Sequence, residues 1–171
     1  FATYDKLQEM REDLRQGFSD QSIDTDIQQT INFLHNREDV TSNIGIVGFC
    51  LGGRISLQSA LRAKGLAGAA IFYGGNMFPS QDTKGAFSAE IEADQLEIPI
   101  IGFFGVEDQN PTITQVQGLE NKLMSLGKVC NFNYYENAGH GFFCEERESF
   151  RPGPAKDAWA KALSLGEKNG Y

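Results

Sequence analysis

Cys50, in the run Gly48-Phe49-Cys50-Leu51-Gly52-Gly53, is the side chain of this sequence best placed for covalent chemistry. A thiol is mostly protonated at neutral pH, so a nucleophilic cysteine needs a base to take or stabilise its charge. His140, in Ala138-Gly139-His140-Gly141-Phe142, is the plausible base, because His35 falls late in a predicted surface helix. A third group should orient the imidazole and stabilise imidazolium. Asp108 suits that role, with Glu107 beside it as a weaker rival. Glycines flanking His140 allow a tight, exposed turn. The expected chemistry is nucleophilic attack on an acyl carbon by Cys50, with Asp108 and His140 completing a catalytic set.

These residues must be carried by elements that bring them together. Ile44 to Phe49 is a short apolar, β-branched run followed at once by a helical pattern over 52–64. A strand, a sharp turn with cysteine at its tip and a helix make a nucleophile elbow, with cysteine in the usual serine position. A Cβ at Gly48 or Gly52 is expected to crowd the strand against the helix. The helix start near Leu51 points amide N–H groups and its positive dipole end at Cys50. That favours a thiolate and makes the Leu51 N–H a candidate oxyanion donor. Further strands are predicted over 67–73, 98–104 and 129–135. Helices are predicted over 4–16, from a cap at Ser22 or Asp24 to Arg37, from a first position at Pro111 to Leu126, and over 154–168. A short helix is expected within 88–95, in an otherwise loop-like stretch. Strands alternating with helices imply a mostly parallel sheet covered on both faces. Sites in such sheets gather at the carboxyl ends of the strands, and Cys50, Asp108 and His140 each follow one.

Other residues have two readings. Arg54 and Arg147 suit a substrate carboxylate, or equally a surface ion pair. Tyr73, Phe78, Phe142 and Phe143 suit a pocket wall or the core. Cys130 reads as core, and Cys144 as pocket lining or packing. The 171 residues, 40% hydrophobic and 22% charged, fit one globular domain, and the net charge of −8 argues against nonspecific nucleic-acid binding. No apolar run reaches membrane-spanning length, and no secretory signal follows Phe1. Three cysteines without CxxC spacing point to reduced thiols in a cytoplasmic protein rather than to disulfides or zinc.

Gly48-Phe49-Cys50-Leu51-Gly52-Gly53, Phe72-Tyr73-Gly74, Gly105-Val106-Glu107-Asp108 with Pro111, and Ala138-Gly139-His140-Gly141-Phe142 together resemble the dienelactone hydrolase family. The resemblance runs from residue 20 to 168. It implies a three-layer α/β/α fold of α/β-hydrolase type with Cys50 as nucleophile, His140 as base and Asp108 as orienting acid. It implies hydrolysis of carboxylic esters or enol-lactones through a thioester acyl-enzyme, with no metal or organic cofactor. The partner is then a small-molecule substrate, and the chain a monomer or homodimer. Family members carry further strands ahead of the elbow. Those supply a second oxyanion donor, an acid near the thiol and an arginine for the substrate carboxylate. The chain is therefore expected to be a partial domain, truncated at the N-terminus and weakly active or inactive alone. The family's serine and arginine downstream of the histidine are replaced by Gly141 and Cys144, with Arg147 three residues further on.

Three other readings compete. A glutamine amidotransferase-like enzyme also uses cysteine at such an elbow, but places a Glu two residues after the histidine, where Phe142 stands, or an acidic residue elsewhere in the site. Asp108 ahead of His140 favours the hydrolase. A non-catalytic small-molecule-binding module would keep the pocket without turnover. A redox sensor would pair Cys50 with Cys144.

Overall fold

The computed structural model describes residues 19–78 and 86–170. The helix expected over 4–16 lies outside them. Four strands among the described residues, β1 (Ile44–Phe49), β2 (Leu66–Phe72), β3 (Ile100–Gly105) and β4 (Cys130–Tyr135), form one sheet in the order β1-β2-β3-β4, with every pairing parallel. Among the described residues, four α-helices accompany it: α1 (Asp20–His35), α2 (Leu51–Arg62), α3 (Ile113–Ser125) and α4 (Pro152–Asn169).

The two central strands are buried on both faces, as suits β2 and β3, which are apolar at almost every position. Leu57, Ala60 and Leu61 of α2 and Val116, Leu119 and Leu123 of α3 pack with Ala69, Ile71, Ile100 and Phe104 on one face. Ala158 of α4 packs with Ala70, Phe72, Ile101 and Phe103 on the other. Alternate residues of one strand thus serve two cores, as the period of two requires. Ile31 of α1 closes a smaller cluster over Ile44 and Leu66. Phe49, Phe72 and Phe103 share one rung of the ladder, with ring centroids 4.4 Å and 4.5 Å apart.

Several boundaries differ from expectation. The cap of α1 is Ser19, not Ser22 or Asp24. Ser22 is the third helical residue, and its side chain closes a reciprocal capping box with Ser19. That helix ends at His35. Pro111 precedes the cap of α3 instead of opening the helix, because Thr112 with Gln115 forms a second capping box. The helix expected within 88–95 is a single 3-10 turn, Ala93–Gln95. The last helix starts earlier, at Pro152. No helix among the described residues is long and apolar enough to cross a membrane.

Candidate active site

Cys50 is the hinge between β1 and α2. Its φ of 55° and ψ of −116° lie in a region that L-residues rarely occupy. The backbone around it is tied down. The Cys50 N–H donates to the Phe72 carbonyl (3.0 Å), and the Cys50 carbonyl accepts from the N–H groups of Arg54 (3.1 Å) and Gly75 (3.3 Å). A Cβ on Gly48 would stand 2.0 Å from the Gly52 carbonyl oxygen, so only glycine fits there. Gly52 itself has open space where a Cβ would go, contrary to expectation. The second obligatory glycine is Gly53, whose Cβ would meet the Phe72 carbonyl oxygen at 2.6 Å. The helix crosses the sheet at Gly53, one position beyond the elbow motif.

His140 stands in the loop after β4. Its Nε2 lies 3.0 Å from Cys50 Sγ, and its Nδ1 lies 2.9 Å from Asp108 Oδ2. The loop turns at Gly141, whose φ of 79° suits glycine. Asp108 is buried, at 4% exposure, and its Oδ1 accepts the Asn110 N–H (2.9 Å). Glu107 is exposed, and its N–H serves the Ala138 carbonyl, so Asp108 and not Glu107 holds the imidazole.

Charge follows from this geometry. The hydrogen bond to Asp108, then that to Cys50, raises the His140 imidazole to about 9 against the opposing effect of burial. The hydrogen bond from His140 lowers the Cys50 thiol below its ordinary range, again against burial, and the Leu51 amide and the Arg147 charge act in the same direction. A thiolate–imidazolium pair is thereby favoured. The three residues open into a cleft of about 390 Å³ lined also by Leu51, Gly75, Asn76, Glu107, Gln109 and Asn110. No cluster of three or more His, Cys, Asp or Glu side chains among the described residues is arranged to hold a metal ion.

The family model for the dienelactone hydrolase family matches residues 2–168. The chain belongs to the dienelactone hydrolase family. A candidate carboxymethylenebutenolidase of Methylorubrum extorquens is 27% identical over 94% of this chain and 55% of its own length. A candidate lactonase for 2-oxo-3-(5-oxofuran-2-ylidene)propanoate from Bradyrhizobium is 28% identical over 84% of this chain and 58% of its own. The crystal structure of a candidate dienelactone hydrolase from Klebsiella pneumoniae superposes with a TM-score of 0.77 at 24% identity, over 85% of this chain and 60% of that one, a likeness of fold. The chain thus spans a little over half the length of these relatives.

In this dienelactone hydrolase family member, the four residues anticipated as substrate-binding, Arg54, Tyr73, Phe142 and Arg147, are not among those lining the cleft. Arg54 is ion-paired with Asp20 and hydrogen-bonded to Gln58 (2.8 Å), with its guanidinium over the Phe87 ring. Arg62 covers the same ring, and Asp20 also accepts the Phe87 N–H. Arg54 is therefore committed to fastening α1 and the Phe87 loop onto α2, not to a substrate carboxylate. Tyr73 is buried and meets the His140 ring edge-on at 5.3 Å, and Phe142, fully buried, meets Tyr73 at 5.2 Å. Tyr73 thus backs the imidazole and Phe142 backs Tyr73, and neither is among the residues lining the cleft. Burial pushes the Tyr73 phenol up to about 12. Arg147 is exposed beside the Gly141 turn and does not line the cleft. Phe142 occupies the position where the amidotransferase pattern needs an acid, which weighs against that reading. Asn76, Asn110 and Gln109 line the cleft and had no signal in the sequence beyond being polar loop residues.

Proposed function

We propose that this chain carries the nucleophilic centre of an ester or lactone hydrolase working through Cys50, His140 and Asp108. The observation that carries the reading is the unbroken contact from Cys50 Sγ to His140 Nε2 (3.0 Å) and from His140 Nδ1 to Asp108 Oδ2 (2.9 Å). His140 takes the thiol proton, and the thiolate adds to the ester carbonyl carbon. The charge that develops on the carbonyl oxygen is met by the Leu51 N–H at the start of α2. Collapse of the tetrahedral intermediate forms a thioester and breaks the C–O bond, and the imidazolium protonates the departing alkoxide. Water, deprotonated by His140, then attacks the thioester, releasing the acid and restoring the thiol. Asp108 holds the ring and stabilises its charged form throughout. Family membership supports the reaction class, and the substrate is a small ester or lactone.

Mass spectrometry after mixing with p-nitrophenyl acetate tests this. The expected result is one acetyl group on Cys50, absent in Cys50→Ala and slowed at least a hundredfold in His140→Ala. The absence of both acetylation and rapid iodoacetamide alkylation of Cys50 at neutral pH would sink the proposal in favour of a non-catalytic binding module.

A further inference from the structure

Two loops meet over the cleft, and one amide pair joins them. The loop after β2 passes through Tyr73 (φ 38°) and Asn76 (φ 56°), both in the left-handed region, where a side chain is held at a cost. The loop after β3 carries Asp108 and Asn110. Asn110 Oδ1 accepts the Asn76 N–H (2.9 Å), and Asn110 Nδ2 donates to Asn76 Oδ1 (2.8 Å). A backbone N–H can only donate, so the atom of Asn110 facing it must be the oxygen. The orientations of both amides follow from that.

Asn110 has a second task. Its own N–H occupies Asp108 Oδ1, leaving Oδ2 for His140. On the other side the Asn76 carbonyl accepts from Arg54 Nε (3.3 Å), and the neighbouring Gly75 N–H holds the Cys50 carbonyl (3.3 Å). The amide pair thus spans from the loop aiming Asp108 to the loop bracing Cys50.

We propose that Asn76 and Asn110 are positioning residues: their paired amides clamp the two loops so that the Asp108 carboxylate stays aimed at His140. This rests on the reading of Cys50, His140 and Asp108 given above. An aspartate at 110 would accept from the Asn76 N–H but could not return a bond to Asn76 Oδ1, so the clamp asks for an amide and not merely for polarity.

Asn76→Gly retains a residue at ease with positive φ and removes only the side chain, and Asn110→Ala removes the other half. Each variant is expected to release p-nitrophenolate about tenfold more slowly with KM changed less than about twofold. The double variant is expected to be no slower than the worse single one, because one unit is broken once. The midpoint of Cys50 alkylation by iodoacetamide against pH is expected to move upward in all three, since a loosely held Asp108 stabilises imidazolium less. An unchanged midpoint in folded Asn76→Gly, or losses that multiply in the double variant, would overturn the clamp. A wild-type thiol that alkylates readily while no ester turns over defeats the hydrolase reading instead, and the midpoint still decides the clamp.

Discussion

At the scale of single residues, the acid–base pair makes the clearest forecast. Cys50 titrates below the ordinary thiol range and His140 near 9. As pH rises from acid, the thiolate–imidazolium pair forms when Cys50 loses its proton, earlier than a free thiol would. As pH passes about 9 the imidazolium is lost, and with it the proton that the proposed mechanism gives to the leaving alkoxide. Ester hydrolysis should therefore follow a bell whose alkaline limb falls near pH 9. A steady-state pH profile of kcat/KM checks this, and a rate still climbing past that point would contradict it. The glycines make a second forecast. Gly53→Ala drives a Cβ into the Phe72 carbonyl and is expected to destabilise by about 1–3 kcal/mol, as overpacking does. Gly52→Ala meets nothing and trades a flexible helical residue for the best helix former, so stability should hold or rise by up to about 1 kcal/mol. Chemical denaturation of the two variants reads the contrast. The meeting of Cys50, His140 and Asp108 at one end of the sheet was legible in the sequence because each has a local signature and follows a strand. Asn76 and Asn110 were not, because they meet across 34 residues and neither belongs to a motif. The choice between Gly52 and Gly53 depends on where the helix crosses β2, which periodicity does not fix.

At the scale of elements, strands and helices were readable from apolar periodicity, and their ends shifted where side chains cap them. Ser19 outcompetes Ser22 because only the former lets the pair satisfy each other's amides. The partners of Arg54 were hidden for a different reason. An arginine in the first turns of a helix looks free until α1 folds over it and brings Asp20 alongside. Its side chain is then 12% exposed and that of Asp20 18%. Asp20→Ala leaves the guanidinium enclosed without its counter-charge and strips an acceptor from the Phe87 N–H. A loss of about 3 kcal/mol is expected by analogy with broken buried pairs, measured as a lower denaturation midpoint. Asp20→Asn should lose less, since its amide still accepts hydrogen bonds.

At the scale of the whole molecule, no described strand pairs with the outer edge of β1. Val47 is 48% exposed there, next to a shallow apolar groove completed by Trp159 and Leu163 of α4. An unpaired edge beside apolar surface invites pairing with another chain. The chain is expected to self-associate with rising concentration, and Val47→Lys to suppress this, as sedimentation velocity would show. A monodisperse wild-type chain at high concentration would refute that expectation.

The shared rung of Phe49, Phe72 and Phe103 bears on how such a molecule can change. Cys50 follows the first of these directly, the loop bearing Asn76 leaves the second, and the loop bearing Asp108 leaves the third. The three aromatic rings act as a common datum from which Cys50, Asn76 and Asp108 are measured. Lengthening a connection at the opposite end of the sheet leaves that datum untouched, so those loops are free to vary in length. Adding one residue inside a strand shifts a single ring off the datum and turns its neighbours to the wrong face. Tolerance to insertion is thus polar along the strand axis, permissive at one end of the sheet and strict at the other.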